Sequence, residues 1–182
     1  MRPSLTIALA LAVTLPAGAV AQAGPAVGSV KPLFSQVSTW IIQAAEQVPE
    51  DMYSFKPTPE VRSFGQMFGH VANSQYLFCA TALGEPNPAQ LAEAAHVIPS
   101  GDAEKLTAKA DLVAALKASA AYCEKAYAMT DAKAMEAAAM FGMKGTRLWV
   151  LIFNTTHLNE HYGNLVTYLR LKGMTPPSSQ RG

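Results

Sequence analysis

Apolar residues recur every three or four positions in four long segments of the chain, and prolines or glycines separate these segments. In the first segment the pattern runs from Leu33 to Val48 and stops before Pro49, with Ser29 placed to cap the N-terminus. Steps of three and four put the apolar side chains on one face of a helix. Residues 49–62 contain further prolines, which forbid a continuous helix. The sequence therefore predicts a first helix over about residues 29–48, followed by a broken connection.

The second segment begins with a capping signal. Ser63 is followed three residues later by Gln66, which is the spacing of a capping box. The predicted helix runs over about residues 64–83 and ends at Gly84, which two prolines follow. Residues 84–106 contain proline, glycine and scattered charges, so they are predicted as a long surface connection with room for one short helix.

The third and fourth segments fill the C-terminal half of the chain. Apolar positions predict a third helix over about residues 109–129, followed by a turn or short helical piece that ends at two glycines. Thr146 is the predicted N-cap of the longest helix, which runs to about residue 172 and is closed by Gly173. No segment shows the alternation of apolar and polar residues that is typical of a strand, and no internal repeat is present.

Length, composition and charge indicate one domain with an apolar core. The chain has 182 residues, 50% of them hydrophobic, and a formal net charge of +1. This is enough apolar material for the core of one domain. No basic run or basic helical face is present, so no nucleic-acid partner is expected. The prediction is an all-α protein, a four-helix bundle over residues 29–179.

The first residues have the three-part pattern of a secretory signal. Arg2 supplies a positive charge, a short apolar run follows, and Ala19-x-Ala21 is a cleavage site before Gln22. The run is shorter than the about 20 apolar residues that span a bilayer. We therefore predict a signal peptide over residues 1–21, a flexible N-terminal tail over residues 22–28, and an exported protein, periplasmic or secreted, without a stable membrane anchor.

The histidines provide the candidate chemistry. His157 and His161 are four residues apart, so on the fourth helix they lie on one face and can both reach a single metal ion. Two histidines at this spacing by chance, on the surface or in the core, are the open alternative. His70, on the second helix, lies in a similar polar patch. Three histidines from two helices would form a metal site inside the bundle. The fourth histidine, His96, is predicted to be an exposed loop residue.

Taken together, the order and spacing of these motifs resemble the DinB-like family, which is distinct from the DNA polymerase that shares the name. The resemblance covers roughly residues 29–179. It depends on residues 55–63 leading into Gly69-His70, and on residues 160–165 leading into residues 170–173 and 176–179. It implies a divalent metal, commonly zinc or nickel, held by His70, His157 and His161 with open positions for water or substrate. Characterised members of the family include thiol-dependent transferases and isomerases, and many members have no assigned activity.

Polar residues around the three histidines have candidate roles. Glu160 is predicted to act as a general base or to orient a ligand, although a solvated carboxylate at the rim is an open alternative. Gln66, Asn73 and Asn164 are predicted to orient the substrate or a ligand imidazole. The sequence His157-x-x-Glu160-His161 also fits the inverzincin signature of certain metalloproteases. Those enzymes require a further acidic ligand downstream, and no Asp or Glu follows His161.

The chain has two cysteines, Cys79 and Cys123. In an exported protein they are predicted to form one disulfide, and two small buried residues in neighbouring helices are the alternative.

The predicted function is a divalent-metal-dependent hydrolase or transferase, with zinc as the first choice of metal and nickel as the alternative, acting on a small molecule that the sequence does not identify. A non-catalytic metal-binding or structural protein is the second hypothesis, and a homodimer is compatible with either.

Overall fold

The structure, a computed structural model, describes residues 24–94 and 102–180. The predicted signal peptide and His96 lie outside the described residues. Within these residues, six α-helices and two short strands follow one another in the order α1 (Pro25–Gln47), α2 (Phe64–Leu83), α3 (Pro88–Ala94), α4 (Lys109–Ala126), α5 (Asp131–Ala134), β1 (Ala137–Met140), β2 (Met143–Thr146) and α6 (Arg147–Leu171).

The four long helices pack around one core and confirm the predicted four-helix bundle. Helix α2 packs against α4 and α6, and α1 packs against the same two helices, so α2 and α6 are neighbours. The core consists of buried apolar side chains from all four helices. Among the described residues, no helix is both long enough and apolar enough to cross a membrane.

The helix ends follow the predicted capping signals. The Ser63 hydroxyl accepts a hydrogen bond from Gln66 N at 3.2 Å, and the Gln66 side chain accepts one from Ser63 N at 3.1 Å. Gly84 ends α2 with a φ of 75°, a left-handed conformation that glycine adopts without steric cost. Thr146 caps α6 by accepting a hydrogen bond from Trp149 N at 3.2 Å. These contacts fix both ends of α2 and the first turn of α6, the two helices that carry the candidate histidines.

The N-terminal prediction is wrong for residues 25–28. Helix α1 begins at Pro25 rather than after Ser29, and Val27 is fully buried instead of belonging to a flexible tail. The cap comes from a distant part of the chain, because the Asp131 carboxylate accepts hydrogen bonds from Ala26 N and Val27 N, both at 3.0 Å. A partner more than 100 positions away leaves no local signal in the sequence.

The segment before α6 also departs from the prediction, because β1 and β2 form an antiparallel hairpin where no strand was expected. Ala137 pairs with Thr146, and Met140 pairs with Met143. Phe141 and Gly142 make the turn with φ values of 52° and 77°, as a two-residue hairpin turn requires. Three of the four residues of β1 are alanines, so the strand shows no alternation of apolar and polar residues. The helix before it, α4, ends at Ala126 rather than near residue 129.

The predicted disulfide is confirmed. Cys79 of α2 and Cys123 of α4 are bonded, with Cα atoms 5.2 Å apart, and both residues are fully buried. This separation lies within the usual range for a disulfide. The bond ties α2, the helix that carries His70, to its neighbour α4.

Candidate metal centre

Three histidines from two neighbouring helices converge at one point. His70 comes from α2, and His157 and His161 come from successive turns of α6. One ligand atom of each ring lies within 4.8 Å of the ligand atoms of the other two. The ring centroids of His157 and His161 are 4.3 Å apart, and those of His70 and His161 are 4.8 Å apart. The structure thus brings together all three predicted ligands.

The pair on α6 has a contact that suits a shared cation. The Nε2 atoms of His157 and His161 are 2.9 Å apart. Two neutral imidazoles satisfy such a contact either by sharing one proton or by directing both lone pairs at one ion. The Nδ1 atom of His157 is buried and has no hydrogen-bond partner within the described part of the chain. The three donors are all imidazoles, which suit divalent transition metals, so the residues fit such an ion.

The surroundings keep the α6 pair neutral. Burial, followed by the charges of His161 and His70, lowers the pKa of His157 from 6.5 to about 3. Burial, followed by the charge of His70, lowers the pKa of His161 to about 4, although the Glu160 carboxylate acts in the opposite direction with a smaller effect. A histidine binds a metal in its neutral form, so protons do not compete with a metal for these two rings near pH 7.

His70 has a partner that the sequence did not reveal. Its Nδ1 atom lies 2.9 Å from Glu104 Oε1. A carboxylate oxygen accepts a hydrogen bond from an imidazole N–H, so this contact favours the neutral His70 ring that has its proton on Nδ1 and its lone pair on Nε2. The other oxygen, Glu104 Oε2, lies 3.3 Å from Arg62 Nε. Glu104 belongs to the 3₁₀ turn Ala103–Lys105, 34 positions from His70, and no motif or helical spacing connects the two residues.

Two residues of α2 hold this turn beside His70. A Cβ atom on Gly69 would overlap the Ala103 carbonyl and lie 2.7 Å from Glu104 N, so only glycine permits the close approach. The Asn73 side chain donates to Asp102 Oδ1 at 2.8 Å and accepts from Ala103 N at 3.0 Å. Asn73 was predicted to orient the substrate or an imidazole, but both ends of its amide are engaged by the turn.

The other predicted residues lie on the His161 side. Asn164 Nδ2 is 3.5 Å from His161 Nδ1, which places this amide next to a ligand imidazole. Glu160 is exposed and lies beside His161 at the edge of a cleft. The Gln66 amide oxygen is occupied by its capping bond to Ser63, although Gln66 also borders the cleft.

The cleft beside His161 has a volume of about 640 Å³ and is open to solvent. Charged side chains of both signs line it, those of Lys56, Arg62, Glu60 and Glu160. Its size is within the range of small-molecule sites. The cleft offers a polar approach to the histidines from one side.

The opposite flank is aromatic. The Phe78 ring lies 5.1 Å from the His157 ring in an edge-to-face arrangement, and Phe153 lies 5.2 Å from Phe78. Phe141, at the tip of the hairpin, packs against both phenyl rings but remains 63% exposed. The candidate site therefore has a charged side at His161 and an apolar side at His157.

Fold and site together define a four-helix-bundle protein in which three histidines on two neighbouring helices could hold one metal ion. The chain belongs to the DinB superfamily, whose sequence pattern matches residues 34–165. This confirms the family resemblance seen in the sequence.

Solved structures support the same fold. A DinB-like protein from Bacillus cereus ATCC 10987 is similar with a TM-score of 0.67 and 14% sequence identity, over 82% of this chain and 95% of that chain. A DinB-like protein from Bacillus subtilis is similar with a TM-score of 0.61 and 24% identity, over 85% of this chain and 99% of that chain. At these identities the similarity concerns the fold alone. A comparison with curated proteins found no match.

Proposed function

We propose that this protein is an exported metalloenzyme of the DinB superfamily that hydrolyses a small molecule or transfers a group to or from one. His70, His157 and His161 would bind one divalent ion. The observation that supports this most strongly is the convergence of three ligand atoms within 4.8 Å next to an open cleft.

A divalent ion bound there supplies Lewis-acid chemistry, which polarises a substrate oxygen or lowers the pKa of water. The protein contributes three neutral ligands, which leave the charge of the ion uncompensated. His157 and His161 stay neutral because burial lowers their pKa values. Zinc is our first choice, because three imidazoles with an open fourth position suit it, and nickel is the alternative.

The cleft supplies the groups that would handle the substrate. Glu160 lies at its edge beside His161 and would accept a proton during the reaction. Arg62 and Lys56 would bind an anionic group of the substrate. The Asn164 amide, next to His161 Nδ1, would orient that ring or the substrate.

Export is part of the proposal. It is supported by the signal pattern of residues 1–21 and by the buried Cys79–Cys123 disulfide, since disulfides persist in oxidising compartments.

The exposure of Glu160 favours a second candidate function, metal binding without turnover, because a catalytic base is more often shielded from water.

Metal analysis tests the proposal. Protein purified from its exported compartment should contain one zinc or nickel ion per chain, measured by elemental mass spectrometry. His157→Ala should lose the ion and keep its helical circular dichroism, because the ring is not part of the apolar core. His96→Ala, the same substitution at the remaining histidine, should keep the ion. Wild-type metal affinity in His157→Ala would refute the proposal.

A further inference from the structure

We propose that Glu104 is a positioning residue that prepares His70 for metal binding, and that Gly69 and Asn73 are the residues that place Glu104. This inference rests on the proposed function, because it assigns His70 a metal to bind. It concerns a residue for which the sequence offers no motif, and it identifies how the third ligand is held.

The contact with Glu104 selects one form of the His70 ring. Glu104 Oε1 accepts the Nδ1 proton at 2.9 Å, which leaves the lone pair on Nε2, the nitrogen available to a metal. A carboxylate in this position fixes the orientation of a ligand imidazole and increases its basicity. The other two rings have no carboxylate at Nδ1 among the described residues: His157 Nδ1 is without a partner, and His161 Nδ1 faces the Asn164 amide.

The carboxylate itself is held at both oxygens. Oε1 is bound by His70, and Oε2 lies 3.3 Å from Arg62 Nε, so the group has little freedom to rotate. The Arg62 carbonyl in turn accepts a hydrogen bond at 3.0 Å from the Tyr168 hydroxyl on α6. A chain of contacts therefore runs from His70 through Glu104 and Arg62 to Tyr168, and it links α2 to the helix of the other two histidines without any metal.

The backbone of the turn is fixed to α2 on both sides of His70. Gly69 allows the Ala103 carbonyl to approach the helix, and Asn73 binds the turn through both ends of its amide. Asp102 Oδ1 also accepts a hydrogen bond from Glu104 N at 3.1 Å, which caps the 3₁₀ turn. Gly69 and Asn73 are one helical turn apart on α2, and His70 lies between them in the sequence. The turn is therefore fixed beside the His70 ring.

Metal affinity of three variants tests the inference, with dissociation constants measured by chelator competition on the full-length mature protein. Glu104→Ala should weaken zinc binding about 10–100-fold, and Glu104→Gln should weaken it less, because the amide oxygen can still accept the Nδ1 proton. Gly69→Ala retains every ligand and the carboxylate but displaces the turn, so it should weaken binding in the same way. The double variant Glu104→Ala/Gly69→Ala should have about the same zinc affinity as the single variant with the lower affinity, because both substitutions act through one contact.

The matched control is Glu136. Its Oε2 atom lies 3.2 Å from Arg147 Nε, a geometry close to that of Glu104 with Arg62, but it contacts no histidine in the described part of the chain. Glu136→Ala should therefore keep wild-type zinc affinity. Circular dichroism and thermal melting of each variant identify any that fail to fold, and Glu104→Gln keeps the test decisive if Glu104→Ala is among them.

The tautomer of His70 in the metal-free protein provides a second readout, measured by nitrogen-15 NMR of the imidazole. The wild type should show His70 with its proton on Nδ1, and Glu104→Ala should show a mixture of tautomers. The inference is overturned if the wild type binds zinc while Glu104→Ala and Gly69→Ala keep both its affinity and its tautomer. If the wild type binds no metal, the proposed function fails. The positioning role is tested independently of the metal, because it is overturned if His70 in metal-free Glu104→Ala keeps its proton on Nδ1 as in the wild type.

Discussion

The two halves of the candidate site are built in different ways. On α6, His157 and His161 meet because they are one helical turn apart, and the buried Leu158 and Leu165 hold that helix face against the core. On α2, His70 reaches the same point only because α2 packs beside α6, and its partner Glu104 is 34 positions away along the chain. One half depends on local geometry and the other on tertiary packing.

The two halves also differ in electrostatics. The α6 pair is kept neutral by burial, which lowers both pKa values, whereas His70 is half-buried and paired with a carboxylate. The comparison indicates that the α6 half should withstand changes elsewhere in the molecule. The α2 half should be sensitive to anything that moves α2 or the turn that carries Glu104.

Removing the disulfide should have the largest effect on the stability of the protein. The bond joins α2 to α4 across 44 positions, so Cys79→Ala/Cys123→Ala should lower the free energy of unfolding by about 2–4 kcal/mol. Urea unfolding of the oxidised wild type and the double variant measures this. Equal stability of the two proteins would show that packing alone fixes α2.

Asn73 and Asn159 offer a direct comparison between the two halves. Asn73→Ala breaks two hydrogen bonds to the turn that carries Glu104 and should cost about 1–2 kcal/mol of stability, with weaker metal binding. Asn159 lies on α6 between the two histidines and bonds only to Thr155 O of its own helix, among the bonds that the structure describes. Asn159→Ala should cost less than about 0.5 kcal/mol and leave metal affinity unchanged. Equal losses of stability and metal affinity in the two variants would contradict the distinction between the α2 half and the α6 half.

The α6 pair should make the metal-free protein sensitive to acid. The folded-state pKa values of His157 and His161, about 3 and about 4, lie below the ordinary 6.5, so the unfolded chain binds more protons between these limits. Stability should therefore fall as the pH decreases below 6.5, by at most about 1.4 kcal/mol per pH unit for each histidine. Urea unfolding of chelator-treated protein between pH 7.5 and 5 measures the slope.

A variant of the pair provides the control for this slope. His161→Gln should flatten the dependence, and His96→Ala should retain it. A slope that is the same in the wild type and in His161→Gln would mean that the pair does not cause the acid sensitivity.

Glu160→Gln should have the smallest effect on metal binding. Glu160 is exposed, and its carboxylate affects the pKa of His161 less than burial or His70 does, so zinc affinity should change less than about threefold. A loss as large as that expected for Glu104→Ala would make Glu160 a ligand or the partner of one, and would reverse the roles given to the two carboxylates.

The difference between local geometry and tertiary packing also explains which features could be predicted from the sequence. The spacing of His157 and His161, the capping box at Ser63 and the end of α2 at Gly84 are encoded within a few residues, and the structure agrees with each of them. The polar patch around His70 on the predicted second helix indicated the third ligand, and the family resemblance agreed with it. These signals were enough for the fold class and the three candidate ligands.

Contacts between distant segments could not be predicted. Asp131 caps α1 from more than 100 positions away, so the sequence placed the start of that helix too late. Glu104 reaches His70 from a turn inside a proline-containing and glycine-containing connection, where no periodicity marks it. Sequence reasoning therefore assigned the main carboxylate role to Glu160, because it is close to the histidines along the chain.

The central claim is that one ion is shared by both halves of the site, and anomalous X-ray scattering from crystals grown with zinc tests it most directly. Data collected at the zinc absorption edge should show a single strong peak about 2.0–2.1 Å from one nitrogen each of His70, His157 and His161. The absence of a peak, or a peak bound by His157 and His161 while His70 is turned away toward solvent, would contradict the claim.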